Sequence, residues 1–478
     1  MLRKNILFLF SDQHRGDWMP YHREVCTASG LPPLPLKMRN LRRLIDEGVT
    51  FTRAVTNSPL CVPARACLAS GQDYERCGTW NNDFCFSLSQ PTFYNHLHNA
   101  GYTVAGVGKF DLHKPVMYWG ENGWIPQLSQ LGFTRAAENE GKGDAVWACK
   151  HTKPGPYGNF LRSRGLLDLF CTDHLRRQRV PTDASTVDLP QKAYSDNYVT
   201  ANAVSMLQDV LRKPDPWFLM VNFSGPHDPW DVTPAMRAPW ANTSFPIPDD
   251  YTGNQEDLQK VRQNYAAMLE NIDACIGALL TILESSGQLE DTVIIYSSDH
   301  GEMLGDRNRF YKSVPYLPSI HIPLVIRSGS CRGTVCGHLV QLNDLASTIT
   351  DFAGLGPMPG TDSRSLLNMT TQSQTAPVRD FQYTALYPQL TAPRENRNGY
   401  EMYSAYWKSS GSSTGTLQNG WRSIVTKSHQ YIEYLEPPSK ELYDLRTDPG
   451  EHHNLVSEEP ILAADMQMLL ESHVTVKK

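Results

Sequence analysis

The chain has 478 residues, a net charge of −6, 20% charged and 40% hydrophobic residues. That length buries a large core and calls for two or more domains, or for one large domain with an appendage. The mild acidic balance argues against a nucleic-acid partner, and no run of apolar residues reaches the ~20 needed to span a membrane.

Leu2-Arg3-Lys4 is followed by an apolar run at 5–10 that is too short for a secretion signal and lacks a cleavage site. The expected compartment is therefore the cytoplasm, or the periplasm or exterior if a signal was removed. The run ends in Ser11-Asp12-Gln13, the pattern of a buried parallel strand that delivers polar residues at its C-terminal edge. Further strands are expected at 103–107, 217–223, 292–296 and 322–326, with helices over 38–47, 91–100, 197–211 and 258–286. This alternation predicts an α/β fold with a large, mostly parallel sheet sandwiched by helices. Residues 114–195 have weak periodicity and read as an insertion near the site. Beyond about 370 the pattern changes to antiparallel strands at 400–407, 421–426 and 430–435 and a closing helix over 460–470. The expected division is a catalytic domain over 1–370 and a smaller C-terminal α+β subdomain, with its own antiparallel sheet, over 371–478.

Chemistry concentrates where strands and loops meet. In Ser58-Pro-Leu-Cys61-Val-Pro63-Ala-Arg65, the cysteine stands at a helix start, beside unpaired backbone N–H groups that favour an anion. Arg65 lies one turn on. Asp12-Gln13 and Asp299-His300 leave strand ends on one sheet edge, where they can converge on a hard divalent cation. Lys109 offers a point charge for an anionic ester, and His113 a group that titrates near neutral pH. His227 sits in Ser224-Gly-Pro-His227-Asp-Pro, stiffened by two prolines, and Lys312 follows the metal loop in Phe310-Tyr-Lys312. A cation, two lysines, an arginine and histidines around a nucleophile suit sulfuryl or phosphoryl transfer. A thiolate is a poor nucleophile toward an ester sulfur, so an unmodified Cys61 does not complete the device. The ten cysteines show no zinc spacing; Cys331 and Cys336 are close enough in sequence to pair.

These motifs together resemble the type I sulfatases of the alkaline-phosphatase superfamily, in family order and nearly end to end. The match includes the stretch around Cys61, the Asp-Gln after the first strand, Gly108-Lys109 with His113, the Pro-His-x-Pro loop and Ser298-Asp-His-Gly-Glu-Met-Leu-Gly305. Phe310-Tyr-Lys312 and the closing segment from Glu441 to Leu455 complete it. Within the family, the chain resembles the choline-sulfatase and phosphonate-monoester-hydrolase branch and some carbohydrate sulfatases. Leu317 and His321 stand where the choline branch has Glu and Arg. The spacing from Lys109 to His113 is longer than in many members.

The resemblance implies that Cys61 is oxidised to formylglycine by a formylglycine-generating enzyme, and that its hydrate attacks the sulfur of a sulfate monoester. Asp12, Gln13, Asp299 and His300 would hold Ca²⁺, with Mn²⁺ or Mg²⁺ as other candidates. Arg65 and Lys109 would orient the hydrate. Asn82, His227 and Lys312 would grip the sulfate, one of the last two assisting the leaving alcohol, and His113 would then act as the base that expels sulfate. The expected substrate is a sulfated carbohydrate or other small organic sulfate, with phosphodiester or phosphonate monoester hydrolysis as the alternative. No nucleic-acid or membrane partner is expected, and a homo-oligomer is compatible with the chain.

Overall fold

The computed structural model describes residues 3–114, 119, 123–151, 153–177, 180, 182–371, 376–387 and 420–477. Its centre is an eight-stranded sheet. In spatial order the strands are Thr334–Cys336, Val49–Phe51, Leu324–Arg327, Thr292–Ser298, Asn5–Asp12, Trp217–Pro226, Thr103–Gly108 and Arg135–Glu138. All neighbours pair in parallel except Leu324–Arg327, which runs antiparallel to both of its own. The strands expected at 5–10, 103–107, 217–223 and 292–296 all lie within this sheet. The run at 322–326 is divided by Pro323, which cannot donate to a ladder. Its first part, His321–Ile322, joins a separate small sheet.

Alternate residues of Asn5–Asp12 feed two cores, which is why the strand reads as one unbroken apolar run. Ile6, Phe8 and Phe10 pack on one face, with the helix Cys61–Ser70 and the C-terminal elements. Leu7 and Leu9 pack on the other, with the helices Ser195–Val210 and Gln255–Ser285. The last of these corrects the reading that no segment is apolar enough to cross a membrane: length and composition alone would allow it. However, 67% of its most apolar window is buried inside the fold, so its apolar character serves this core.

The stretch 114–195 supplies the sheet's edge strand Arg135–Glu138 and the helices Lys142–His151, Pro156–Arg162 and Leu167–Arg177, which share a small core of their own. Near the C-terminus, Gln382–Leu386, Trp421–Val425, His429–Leu435 and Pro438–Asp444 form an antiparallel meander, and the closing helix spans Pro460–Lys477. The strand expected at 400–407 lies outside the described residues. The meander is tied to the sheet's loops through Glu451, whose Oε2 accepts from the Leu317 amide at 2.8 Å and whose carbonyl accepts from Arg307. Among the described residues, the ten cysteines are free thiols, so Cys331 and Cys336 are not bonded.

Candidate active site

Four strand ends and one helix start meet over the C-terminal edge of the sheet. Leu60 is extended, and the helix Cys61–Ser70 begins directly at the cysteine and ends at left-handed Gly71. Leu60 provides no side-chain cap; Asn82 does so from another loop, its Oδ1 accepting from the Val62 amide at 3.1 Å. Asn82 therefore stands over the first turn of the helix that carries Cys61.

Asp12, Cys61, Asp299 and His300 are all buried, and their candidate ligand atoms lie within 4.8 Å of one another. Each carboxylate turns one oxygen to cations and the other toward this cluster or its backbone. Oδ2 of Asp12 accepts from Lys109 and, at 3.2 Å, from Arg65. Its Oδ1 stands 3.9 Å from both Cys61 Sγ and His300 Nε2. Oδ2 of Asp299 accepts from Arg65 Nε at 3.0 Å, while Oδ1 accepts from the Gln13 and His300 amides. Nδ1 of His300 lies 3.0 Å from the Gly301 carbonyl. A carbonyl only accepts, so the ring proton is on Nδ1 and the Nε2 lone pair faces Cys61 Sγ at 3.4 Å. Two carboxylate oxygens and an imidazole nitrogen converging in a buried pocket fit a divalent cation.

Lys109 arrives on a tight turn. Gly108 has φ +101°, and a Cβ there would lie 1.9 Å from the Asn222 carbonyl, so only glycine lets the chain turn at this point. The Lys109 Nζ stands 3.7 Å from Cys61 Sγ. Behind it, Asp111 bridges Lys109 at 3.3 Å and Lys114 at 3.2 Å, and Lys114 continues to Asp144 at 3.0 Å.

The electrostatics follow from burial and this pairing. Burial alone would raise Asp12, but the cations Lys109 and Arg65 hold it well below the usual carboxylate range. Burial, reinforced by Asp12, pushes the Cys61 thiol up to about 11 against the pull of Lys109 and Lys312. In the metal-free protein these surroundings favour the neutral thiol over the thiolate. His227 is driven well below its ordinary value by burial and by Lys312.

The remaining expected residues separate into two groups. Lys312 reaches the end of the first strand and the loop of His227: it donates to Gln13 Oε1 and to Nε2 of His227. The Gln13 carboxamide is held between Lys312 on one side and Glu302 and Asp228 on the other. Its backbone amide touches Asp299. The second group is His113. Its Nε2 is buried without a hydrogen-bond partner, and burial lowers its pKa to about 4.

Asp111, Lys114, Asn222, Asp228 and Glu302 were not singled out by sequence reasoning. Glu302 sits inside the Asp-His-Gly-Glu motif, and Asn222 is the polar break in an otherwise apolar strand, so both left a trace. Trp230 and Trp240 are core residues at 1% and 0% exposure.

The family model described as Sulfatase matches residues 4–355. The choline-sulfatase of Rhizobium meliloti is 29% identical over 436 residues, covering 83% of this chain and 78% of that protein. The phosphonate monoester hydrolase of Agrobacterium radiobacter superposes with a TM-score of 0.76 at 21% identity, covering 100% of this chain and 96% of the other. A protein solved with its substrate D-glucosamine-2-N,6-O-disulfate superposes with a TM-score of 0.73 at 20% identity, covering 99% and 98%. With its sheet, its helix-borne cysteine and a family match over most of its length, the chain belongs to the sulfatase family of sulfuric ester hydrolases, in the alkaline-phosphatase-like group.

Proposed function

We propose that the chain hydrolyses the sulfate monoester of a sulfated carbohydrate or other small organic sulfate, using residue 61 in its formylglycine form. The observation that carries this reading is the state of Cys61. It lies at a helix start, against Asp12, His300 and Lys109, where a sulfur nucleophile is poorly suited to attack an ester sulfur. Such a site is built around a different functional group at that position. The names of the relatives support the substrate class: one is a choline-sulfatase, and one structural neighbour holds a disulfated glucosamine.

In this reading, Asp12, Asp299 and His300 hold a divalent cation, Ca²⁺ by preference for an oxygen-rich site, with Gln13 completing the set. The cation supplies Lewis-acid polarisation of a sulfate oxygen. Arg65 and Lys109 fix the Asp12 carboxylate and orient the group at 61. Lys312 and His227, joined to each other, grip the sulfate and place a proton donor at the departing oxygen; Asn82 contacts it from over the helix start. His113, whose Nε2 carries no hydrogen bond, is assigned the base that expels sulfate on the strength of the family resemblance. Cys61 is 2% exposed, so a formylglycine-generating enzyme must act before the chain folds around it.

The test combines mass and turnover. After co-expression with the modifying enzyme, the peptide holding residue 61 should show exchange of the thiol sulfur and two hydrogens for an aldehyde oxygen. Sulfated mono- and oligosaccharides, choline sulfate and an aryl sulfate are then screened for free sulfate, beside an aryl phosphodiester with Mn²⁺. Faster turnover of the phosphodiester on the metal-replete enzyme would replace the sulfatase reading with the phosphodiester or phosphonate one. An unmodified thiol in an active enzyme would sink the nucleophile.

A further inference from the structure

Lys142 opens the helix Lys142–His151, in the stretch between the sheet's edge strand and the helix Ser195–Val210. Its side chain is 1% exposed. Nζ donates to Asp231 Oδ1 at 2.7 Å, to the His227 carbonyl at 3.0 Å, to the Tyr194 hydroxyl at 3.2 Å and to the Pro229 carbonyl at 3.3 Å. An ammonium has three N–H donors, so four acceptors leave it nothing to offer a substrate. A lysine serving only to neutralise Asp231 would need one of these contacts.

Two of the acceptors are the main-chain carbonyls on either side of Asp228. The carbonyl between them, that of Asp228, lies 2.7 Å from Nδ1 of His227, and Asp228 Oδ1 lies 3.1 Å from the same nitrogen. Both oxygens are acceptors, which puts the ring proton on Nδ1. Nε2 is then the bare nitrogen that meets Lys312. The direction of the ring and its tautomer therefore depend on where the peptide units at 227–229 lie, and Lys142 holds the units on both sides.

We propose that Lys142 is a positioning residue for His227: it clamps the loop so that Nδ1 stays protonated and Nε2 points at Lys312 and the sulfate. This rests on the reading that His227 acts at the sulfate, and the test separates the two. The variant Lys142→Met Asp231→Asn removes the buried charges as a pair, because Lys142→Met alone would strand a carboxylate.

Two measurements decide. In metal-free enzyme labelled with ¹⁵N-histidine, His227 of the wild type should report the Nδ1–H tautomer, and the paired variant a mixture of tautomers. In turnover, the paired variant should lose about 10²-fold in kcat/KM, the scale of a misplaced group. In a His227→Ala background the same change should cost no more than about twofold, because its effect passes through the missing ring. An equal loss in both backgrounds marks a purely structural residue and overturns the proposal, as does a variant whose His227 tautomer is unchanged. If the wild type turns over no sulfate ester, the functional reading fails, and the ¹⁵N spectra still decide this one. If the paired variant does not fold, the wild-type spectrum decides: an Nε2–H tautomer overturns the clamp and an Nδ1–H tautomer supports it.

Discussion

The Nε of Arg65 donates to Oδ2 of Asp299 at 3.0 Å, tying the helix that starts at Cys61 to a strand end 234 positions later. The same guanidinium reaches Oδ2 of Asp12 at 3.2 Å, so one cation stands between two buried carboxylates. Arg65→Met leaves these to repel each other. The expected cost in metal-free protein is about 3–5 kcal/mol, as for breaking a buried ion pair. Excess Ca²⁺ should recover part of it, because a cation bound by Asp12 and Asp299 replaces some of the lost charge. Urea denaturation with and without Ca²⁺ measures both quantities. The same deficit in both conditions would mean that the carboxylates do not share a cation site.

Lys312 and His227 hydrogen-bond to each other across 85 positions of sequence. Groups joined in this way act as a unit, and their contributions to catalysis do not add. Lys312→Ala and His227→Ala should each lower kcat/KM strongly, while the double variant should fall little further than the worse single one. Steady-state kinetics of the three variants on one sulfate ester provide the cycle. Fully additive losses would show that the two groups contact different parts of the substrate independently.

Much of this arrangement was legible because each strand leaves its mark twice, as an apolar run and as the polar residues that end it. Asp12 and Asp299 both follow such runs, and Cys61 begins a helix closed by Gly71. Arg135–Glu138 was not legible: it is a four-residue edge strand reading Arg-Ala-Ala-Glu, without an apolar run or alternation. Pro438–Asp444 begins with Pro, Ser and Lys at the exposed edge of the meander, so its pairing with His429–Leu435 left no pattern. Among the site residues, Asp111, Lys114, Glu302 and Lys142 escaped notice for a related reason. Their partners come from other elements or lie behind the first layer of the site, and their roles depend on distances that spacing does not encode. Gln13 shows the finer limit: its place after the first strand was visible, but the direction of its carboxamide depends on Lys312 and Glu302.

Glu451 offers a pH-dependent stability test away from the chemistry. Burial pushes its carboxyl up to about 8 in the folded protein, from an ordinary 4.5. Between these values the folded state holds a proton that the unfolded state releases, so stability falls as pH rises through the window. The slope for one group is at most about 1.4 kcal/mol per pH unit. Glu451→Gln keeps an acceptor for the Leu317 amide and removes the titration. The variant should therefore gain on the wild type between pH 5 and pH 8, by urea denaturation at each pH. Glu138, also raised by burial to about 8, keeps a similar slope in both proteins. Parallel wild-type and variant profiles would place the Glu451 carboxyl in an ordinary environment.

Cys61→Ala separates binding from chemistry. Lys312 and His227 hold each other, and Asn82 is anchored on the Val62 amide, so none of the three depends on the cysteine side chain for its position. The cation ligands Asp12, Asp299 and His300 are likewise fixed by Lys109, Arg65 and backbone groups. The variant should therefore fold and bind the sulfate ester within about tenfold of the wild-type affinity, an allowance of about 1.4 kcal/mol. Turnover should fall by about 10⁴-fold or more, the scale of losing a nucleophile. Unmodified wild-type protein, made without the modifying enzyme, should behave in the same way, because a thiol is a poor nucleophile toward an ester sulfur. Calorimetric titration of the ester into each protein, beside sulfate release, reads both quantities. Turnover by either protein at the rate of the modified enzyme would show that the chemistry does not pass through residue 61.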